Sequence, residues 1–373
     1  MTADQTLFQR DLSRVRPSLT GVLSHRNFAA ADKFLKTFCG NVSGGNIIAI
    51  IGPSNSGKTL LLHRLATHLR EVVFKDAAPD AIPILGAFVM PSNDTRVTPK
   101  YVIQMLLSDA GHPLYDPVKL SLSGYRGSSS NNTETDHLKR LRNLFSISRV
   151  EFVMLDDAQS IARTNNKDFG AMLLEALKVL SGPGQNLVFT GGYELLGPLL
   201  AYRSHLAARV TIVHLSPYQG KEDYGAWQGI IKTIEKQNSH GLGENGALRT
   251  CSEELYVQCH GCFGLLEKHL QQVIAYAASC GSSITAEMIR SVKPMQAQWT
   301  TINTDIVLGK EALAQVPDVI DVITPGVRSE ATSECTTASK GAESATKRSD
   351  QLRRKQPAGG RPFRRRPARV PGA

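Results

Sequence analysis

Between residues 46 and 215 the chain carries five short, unbroken apolar runs, at 46–51, 84–90, 150–155, 186–190 and 211–215, separated by longer stretches with helical spacing. Continuous runs of this length read as strands buried on both faces. Their alternation with helices predicts an α/β fold, a doubly wound parallel sheet with helices packed on either side. Ahead of the first run, Phe28, Phe34, Leu35 and Phe38 recur at near-helical spacing until Gly44-Gly45 ends the pattern, so 1–45 reads as a helical lead-in. From 223 to about 292 the periodicity is helical with no strand, which predicts a small α-helical domain over 221–295. After Pro294 the pattern weakens, and beyond 324 Ser, Thr, Gly, Pro and Arg dominate. Such a composition buries too little apolar surface to offset the entropy of ordering, so 296–373 is expected to be a linker and a disordered tail.

The first apolar run leads directly into Gly52-Pro53-Ser54-Asn55-Ser56-Gly57-Lys58-Thr59, a complete G-x-x-x-x-G-K-[ST] phosphate-binding loop, and Leu60-Leu61-Leu62 then opens a helix. This strand, loop and helix context is what the motif requires. Backbone N–H groups at a helix N-terminus surround the phosphates, and glycine permits the close approach. Residues Gly52 to Leu60 are therefore the candidate nucleotide contacts, with Lys58 reaching the β- and γ-phosphates and Thr59 joining the Mg²⁺ shell. The implied cofactors are ATP and Mg²⁺.

The 150–155 run ends in Asp156-Asp157, two carboxylates at a strand terminus about one hundred residues downstream of the loop. Asp156 is expected to hold the metal, and Asp157 to orient the attacking water. The 186–190 run ends in Thr190-Gly191-Gly192. In a doubly wound sheet this strand lies beside the loop strand, which would bring the Thr190 hydroxyl near the γ-phosphate; a plain strand-capping threonine is the competing reading.

Composition narrows the class. At 373 residues there is room for two domains, and no stretch reaches the roughly 20 apolar residues that span a bilayer. With no signal-like N-terminus and six unevenly spaced cysteines, a cytoplasmic protein without a disulfide framework is expected. Cys259-His260-Gly261-Cys262, with Cys251 upstream, raises a zinc site against the alternative of ordinary buried thiols. The net charge of +10 is concentrated in the tail, since ten Lys/Arg from Lys347 onward face one acid, Asp350, and leave the remainder near neutrality.

Taken together, these residues resemble an AAA+ ATPase, and more closely the TniB/TnsC family of transposition regulators. The similarity runs from about 27 to 292 and includes the phosphate loop, Met90-Pro91-Ser92-Asn93-Asp94-Thr95, Leu155-Asp156-Asp157-Ala158, Phe189-Thr190-Gly191-Gly192, Leu206-Ala207-Ala208-Arg209-Val210 and Leu215-Ser216-Pro217-Tyr218. The family more often carries Asp-Glu where this chain has Asp156-Asp157. The shorter Asp157 implies slow hydrolysis.

The resemblance implies a homo-oligomeric ring or filament on duplex DNA, which recruits a transposase and a target-selection adaptor. It implies an arginine finger from the neighbouring subunit, best matched by Arg209, with Arg203 as the alternative. Arg96, Lys100 and Arg126 are the DNA-contact candidates, through sequence-tolerant backbone contacts. Gly261 to Lys268 matches the start of a lid helix, without the family's second-sensor arginine; Lys268 is the nearest substitute. The basic tail is expected to bind DNA or a protein partner. Two other readings stay open: an AAA+ motor or loader that remodels DNA or protein complexes, and a signalling ATPase switch that does not bind DNA.

Overall fold

The computed structural model describes residues 24–89, 97–115, 133–159, 180, 184–201, 209–237, 246–293, 296–315 and 319–320, all within the compact unit Met1–Pro325. The apolar runs form the expected parallel strands: β1 (Ile47–Ile51), β2 (Ile84–Phe88), β3 (Phe152–Asp156), β4 (Asn186–Gly191) and β5 (Val210–His214). The second run is shorter than expected, because its pairing with β3 ends at Phe88 against Asp156, and Met90 lies outside the described residues. A sixth strand, β6 (Val319–Ile320), completes the order β2-β3-β4-β1-β5-β6, with every pairing parallel.

Helices cover both faces, which is why the strands carry no polar alternation. Ile47, Ala49 and Ile51 of β1 face a core shared with α3 (Pro99–Asp109) and α4 (Glu134–Ile147). Ile48 and Ile50 face the other way, onto α1 (Arg26–Asn41) and α2 (Lys58–His68). Local chemistry starts several of these helices where the chain demands it. Thr98 caps α3 by accepting from the Tyr101 N–H at 3.2 Å, and Thr133 with Asp136 forms a capping box for α4. After β4 a tight turn (Tyr193–Leu195) leads into α5 (Leu196–Ala201).

Past β5 the chain enters an all-helical segment of α6 (Gly220–Gln237), α7 (Ala247–Thr250), α8 (Ser252–Gln258), α9 (Phe263–Cys280) and α10 (Ala286–Ser291). It has its own core, built around Trp227, Ile231, Leu255, Leu266 and Val273. Trp227 is fully buried and donates its indole N–H to the Ser252 carbonyl at 3.1 Å. Among the described residues no helix is long and apolar enough to cross a membrane.

The segment after 295 departs from the sequence reading. Where a linker was expected, Gln296–Ala314 is a 19-residue helix, α11. Ile306, Gly309 and Leu313 are buried and Trp299 is partly so, a three- and four-residue spacing characteristic of an inward helix face. Exposed Val307 and Leu308 on the outer face blur that stripe, so the sequence shows no clean period. The expected basic tail, beyond 320, lies outside the described residues.

Removal of Trp227 should test the independence of the lid core: Trp227→Ala is expected to lower unfolding free energy by about 3–5 kcal/mol, read from urea denaturation followed by circular dichroism.

Candidate functional site

Because β1 lies between β4 and β5 in a parallel sheet, its carboxyl end opens into the crevice where the strand order reverses, the usual ligand position in such folds. Gly52 leaves β1 there. Its N–H donates to the Gly191 carbonyl of β4 at 3.3 Å, and a side chain on it would meet the Leu215 carbonyl at 2.6 Å, so only glycine passes. Gly57 closes the loop at φ +96°, a left-handed conformation that glycine adopts without cost, and Asn55 takes φ +61°, which asparagine tolerates better than most residues.

Lys58 is buried and turns back into the loop, donating to the Gly52 carbonyl at 3.0 Å and the Pro53 carbonyl at 2.7 Å. Burial lowers its pKa, while Asp157, Asp156, Glu194 and the Cys262 thiol act to raise it. The carboxylates near the ammonium therefore offset part of its desolvation. Ser56 Oγ, beside it in the loop, is buried without a hydrogen-bond partner, and Ser54 and Thr59 are exposed.

Asp156 ends β3 almost completely buried. Its Oδ1 accepts from the Thr190 hydroxyl, while Oδ2 is buried with no partner. Asp157 follows at φ +58°; its backbone N–H donates to Thr190 Oγ1 at 3.1 Å, and its Oδ1 accepts from Gln159 Nε2 at 2.7 Å. The Thr190 hydroxyl proton is thus committed to Asp156. Placed between the two aspartates, Thr190 orients the pair.

These residues fit a divalent cation. A buried carboxylate oxygen left without a hydrogen bond is costly unless something positive completes it, and Asp156 Oδ2 is such an atom at the edge of a phosphate loop. Asp156 and Thr59 together offer the all-oxygen donors that Mg²⁺ takes. Cys259 and Cys262, by contrast, are buried thiols, with burial raising the Cys262 pKa to about 12 and the Cys259 pKa further still. They read as packing residues, and among the described residues no group of three or more His, Cys, Asp or Glu is placed to hold a metal.

The lid meets the loop directly, a contact that the sequence did not reveal. Gly264, in the first turn of α9, donates its N–H to the Asn55 carbonyl at 3.0 Å, and a side chain there would come within 2.4 Å of that oxygen. Glycine occupies the point of closest approach. Lys268, one turn further along, is exposed. On the α1 side, the His25 ring lies 5.8, 5.5 and 5.2 Å from Phe28, Tyr218 and Phe263, and Phe28 packs 3.6 Å from the Gly57 position. His25 Nδ1 is 3.0 Å from the Tyr218 hydroxyl, and an Arg26–Asp223 ion pair closes the same seam. The sequence marked Phe28 as a helix-face residue and Tyr218 and Phe263 within motifs of the resemblance, but not that they meet at His25.

The structure brings together Gly52 to Leu60, Asp156, Asp157 and Thr190. Arg209 stands apart. It is exposed at the start of β5, where its carbonyl accepts from the Ile47 N–H at 2.8 Å at the opposite end of β1 from Gly52. Five strand residues separate the two ends, about 16 Å. Lys100 lies in the first turn of α3, and its charge and that of Arg140 both act on His137, which is buried between α3 and α4. Arg96, Arg126 and Arg203 lie outside the described residues.

Residues 41–197 match the model of a family described as AAA domain. No curated protein matches the chain. Among solved structures, the ORC2 protein of Aeropyrum pernix in ADPNP–ADP complexes is similar at 16% identity and a TM-score of 0.49, over 71% of this chain and 66% of that one. The Aeropyrum pernix ORC1 protein in complex with DNA is similar at 14% identity and a TM-score of 0.47, over 72% and 65%. Domain III of the Thermotoga maritima replication initiation protein DnaA is similar at 15% and 0.42, over 73% and 95%. The matches thus span just under two thirds of each Aeropyrum protein.

The buried seam beside the loop should be acid-sensitive. Desolvation, with Arg26 adding to it, lowers the His25 pKa from 6.5 to about 4. As pH falls through that window the unfolded chain takes up a proton that the folded chain refuses, so native stability should drop by about 3 kcal/mol between the two values. His25→Asn, which keeps a capping side chain but does not titrate, is expected to flatten the slope of urea-unfolding free energy against pH. His112, His137, His260 and His269, whose pKa values burial also lowers, add to the slope that remains.

Proposed function

We propose that this chain, whose residues 41–197 match the model of an AAA domain, is a slow, regulatory ATPase that uses ATP to assemble on duplex DNA, and that it acts as a transposition regulator which recruits and activates a transposase. The observation that carries the nucleotide reading is the convergence on one crevice of the phosphate loop, buried Lys58, and the unpartnered Asp156 oxygen. The transposition reading rests on the sequence resemblance.

Each residue has a role in this scheme. The loop amides and Lys58 bind the phosphates of ATP, and Asp156 and Thr59 hold Mg²⁺, which supplies charge neutralisation when bound. Thr190 keeps Asp156 and Asp157 in register. Asp157 orients the attacking water, but its carboxylate is short and already bonded to Gln159, which supports slow turnover. Gly264 on Asn55 lets the lid follow the loop.

The position of Arg209 supports a shared site. In its own chain it lies at the far end of β1, so it serves catalysis only by facing the nucleotide of a neighbouring subunit. There a guanidinium would neutralise developing γ-phosphate charge and link ATP to assembly. For DNA, Lys100 with Arg140 places cationic charge at the α3–α4 crossing, and Arg96, Arg126 and the tail would extend it along a backbone track.

Three variants separate these roles. Lys58→Ala should abolish ATP binding in a fluorescent-nucleotide titration. Asp157→Asn should bind ATP as the wild type does and lower steady-state phosphate release by about 10²-fold or more. Arg209→Ala should bind nucleotide as a monomer but fail to assemble in sedimentation with ATP and duplex DNA. Assembly of the Arg209 variant at wild-type concentrations would rule out its role across the interface, and rapid DNA-independent turnover by the wild type would count against the regulatory reading.

A further inference from the structure

The lid is attached to the sheet on two sides. On the α1 side it is held by the His25–Tyr218–Phe263 cluster and the Arg26–Asp223 ion pair. The second attachment is α11, which returns from the lid across the opposite face of the sheet.

At the lid end of α11, the Trp299 ring lies 4.6 Å from the His260 ring at an interplanar angle of 37°. His260 belongs to the tight turn between α8 and α9, in which His260 and Gly261 both take positive φ, +48° and +63°. That turn is wedged against the core. The Gly261 carbonyl accepts from the Tyr218 N–H at 3.0 Å, and a side chain on Gly261 would overlap the Tyr218 carbonyl at 1.9 Å. Three residues beyond it, Gly264 bonds the phosphate loop at Asn55.

At the other end, Gly309 lies flat against the Tyr193 ring, where a side chain would fall 2.2, 2.3 and 2.6 Å from three ring carbons. Tyr193 heads the turn that follows Thr190 and Gly191, and its hydroxyl is 3.0 Å from His214 Nε2, on the residue of β5 that pairs with Ile51. Leu313 enters the same core as Tyr193 and Leu195. The chain is then pinned again, because β6 pairs with β5 at Ile212–Val319 and Val213–Ile320.

Ten helical steps carry the chain from Trp299 to Gly309, about 15 Å of rigid rod. One end touches the turn that carries the lid onto the phosphate loop, and the other touches the turn that carries Thr190. We infer that Trp299 and Gly309 are positioning residues of the nucleotide site: α11 sets the separation between its lid wall and its sheet wall, and nucleotide is gripped when the rod is seated at both ends. This rests on the ATP-binding reading above. Neither residue touches the phosphate loop; both act through His260 and Tyr193. Seating and nucleotide binding must then favour each other reciprocally, since coupling between two sites is symmetric in free energy.

The test uses full-length protein with Trp299→Ala and, independently at the other end, Gly309→Val, whose added side chain cannot clear Tyr193. Each is expected to weaken binding of a fluorescent ATP analogue by about fivefold or more, the lower range of such couplings, while Trp299→Phe restores it. In the wild type, saturating ATP should slow hydrogen exchange across 296–314, and in Lys58→Ala it should not. Variants that melt earlier yet bind the analogue with unchanged affinity would show a merely structural helix and overturn the inference. So would exchange across 296–314 that ignores ATP in a wild type that binds it. Failure of the wild type itself to bind the analogue would instead bring down the nucleotide reading on which the inference rests.

Discussion

Everything at the site depends on the placement of β1. It is buried on both faces, hydrogen-bonded on both edges, and it ends at Gly52, where the chain must turn under the Leu215 carbonyl and beside Gly191. A strand so enclosed has nowhere to shift, so the loop that follows inherits a fixed origin. The loop's own geometry then needs only glycine at Gly57 and a tolerant residue at Asn55. Rigidity of the scaffold is what lets a mobile phosphate chain be met by preplaced N–H groups.

The electrostatics of the site follow from that enclosure. Lys58 is buried, yet the charges of Asp157, Asp156 and Glu194 oppose the desolvation that would otherwise neutralise it. The acids are constrained in turn. Thr190 uses its proton on Asp156 and its lone pair on the Asp157 N–H, which leaves one Asp156 oxygen buried and unmatched. A site holding a lone ammonium and a surplus of carboxylate is poised for a ligand that brings both phosphate and metal, because each half completes a charge the protein leaves open.

The lid contributes through glycine rather than arginine. The resemblance implies an arginine near the start of the lid helix, and there Gly264 lies close enough to hydrogen-bond the loop backbone. Communication between lid and loop therefore passes through main chain and packing, with α11 supplying the second brace. Such contacts respond to the separation of the walls rather than to ligand charge.

Much of this was legible in the sequence. The five apolar runs, the phosphate loop, the paired aspartates and the lid helices are local patterns, and local chemistry decides them: continuous apolar residues demand burial on two faces, and the G-x-x-x-x-G-K-T spacing has one structural use. The exchange of hydrogen bonds among Asp156, Asp157 and Thr190 was not readable, because it depends on β3 and β4 standing side by side. Nor were the Gly264–Asn55 bond, the aromatic seam at His25, or α11, whose inward stripe is masked by the exposed Val307 and Leu308. The sequence by itself determined the five core strands, the phosphate-loop motif between β1 and α2, and the helical segment after β5. Only the tertiary structure decided which of their residues meet, since contacts between segments two hundred residues apart leave no periodic trace in either one.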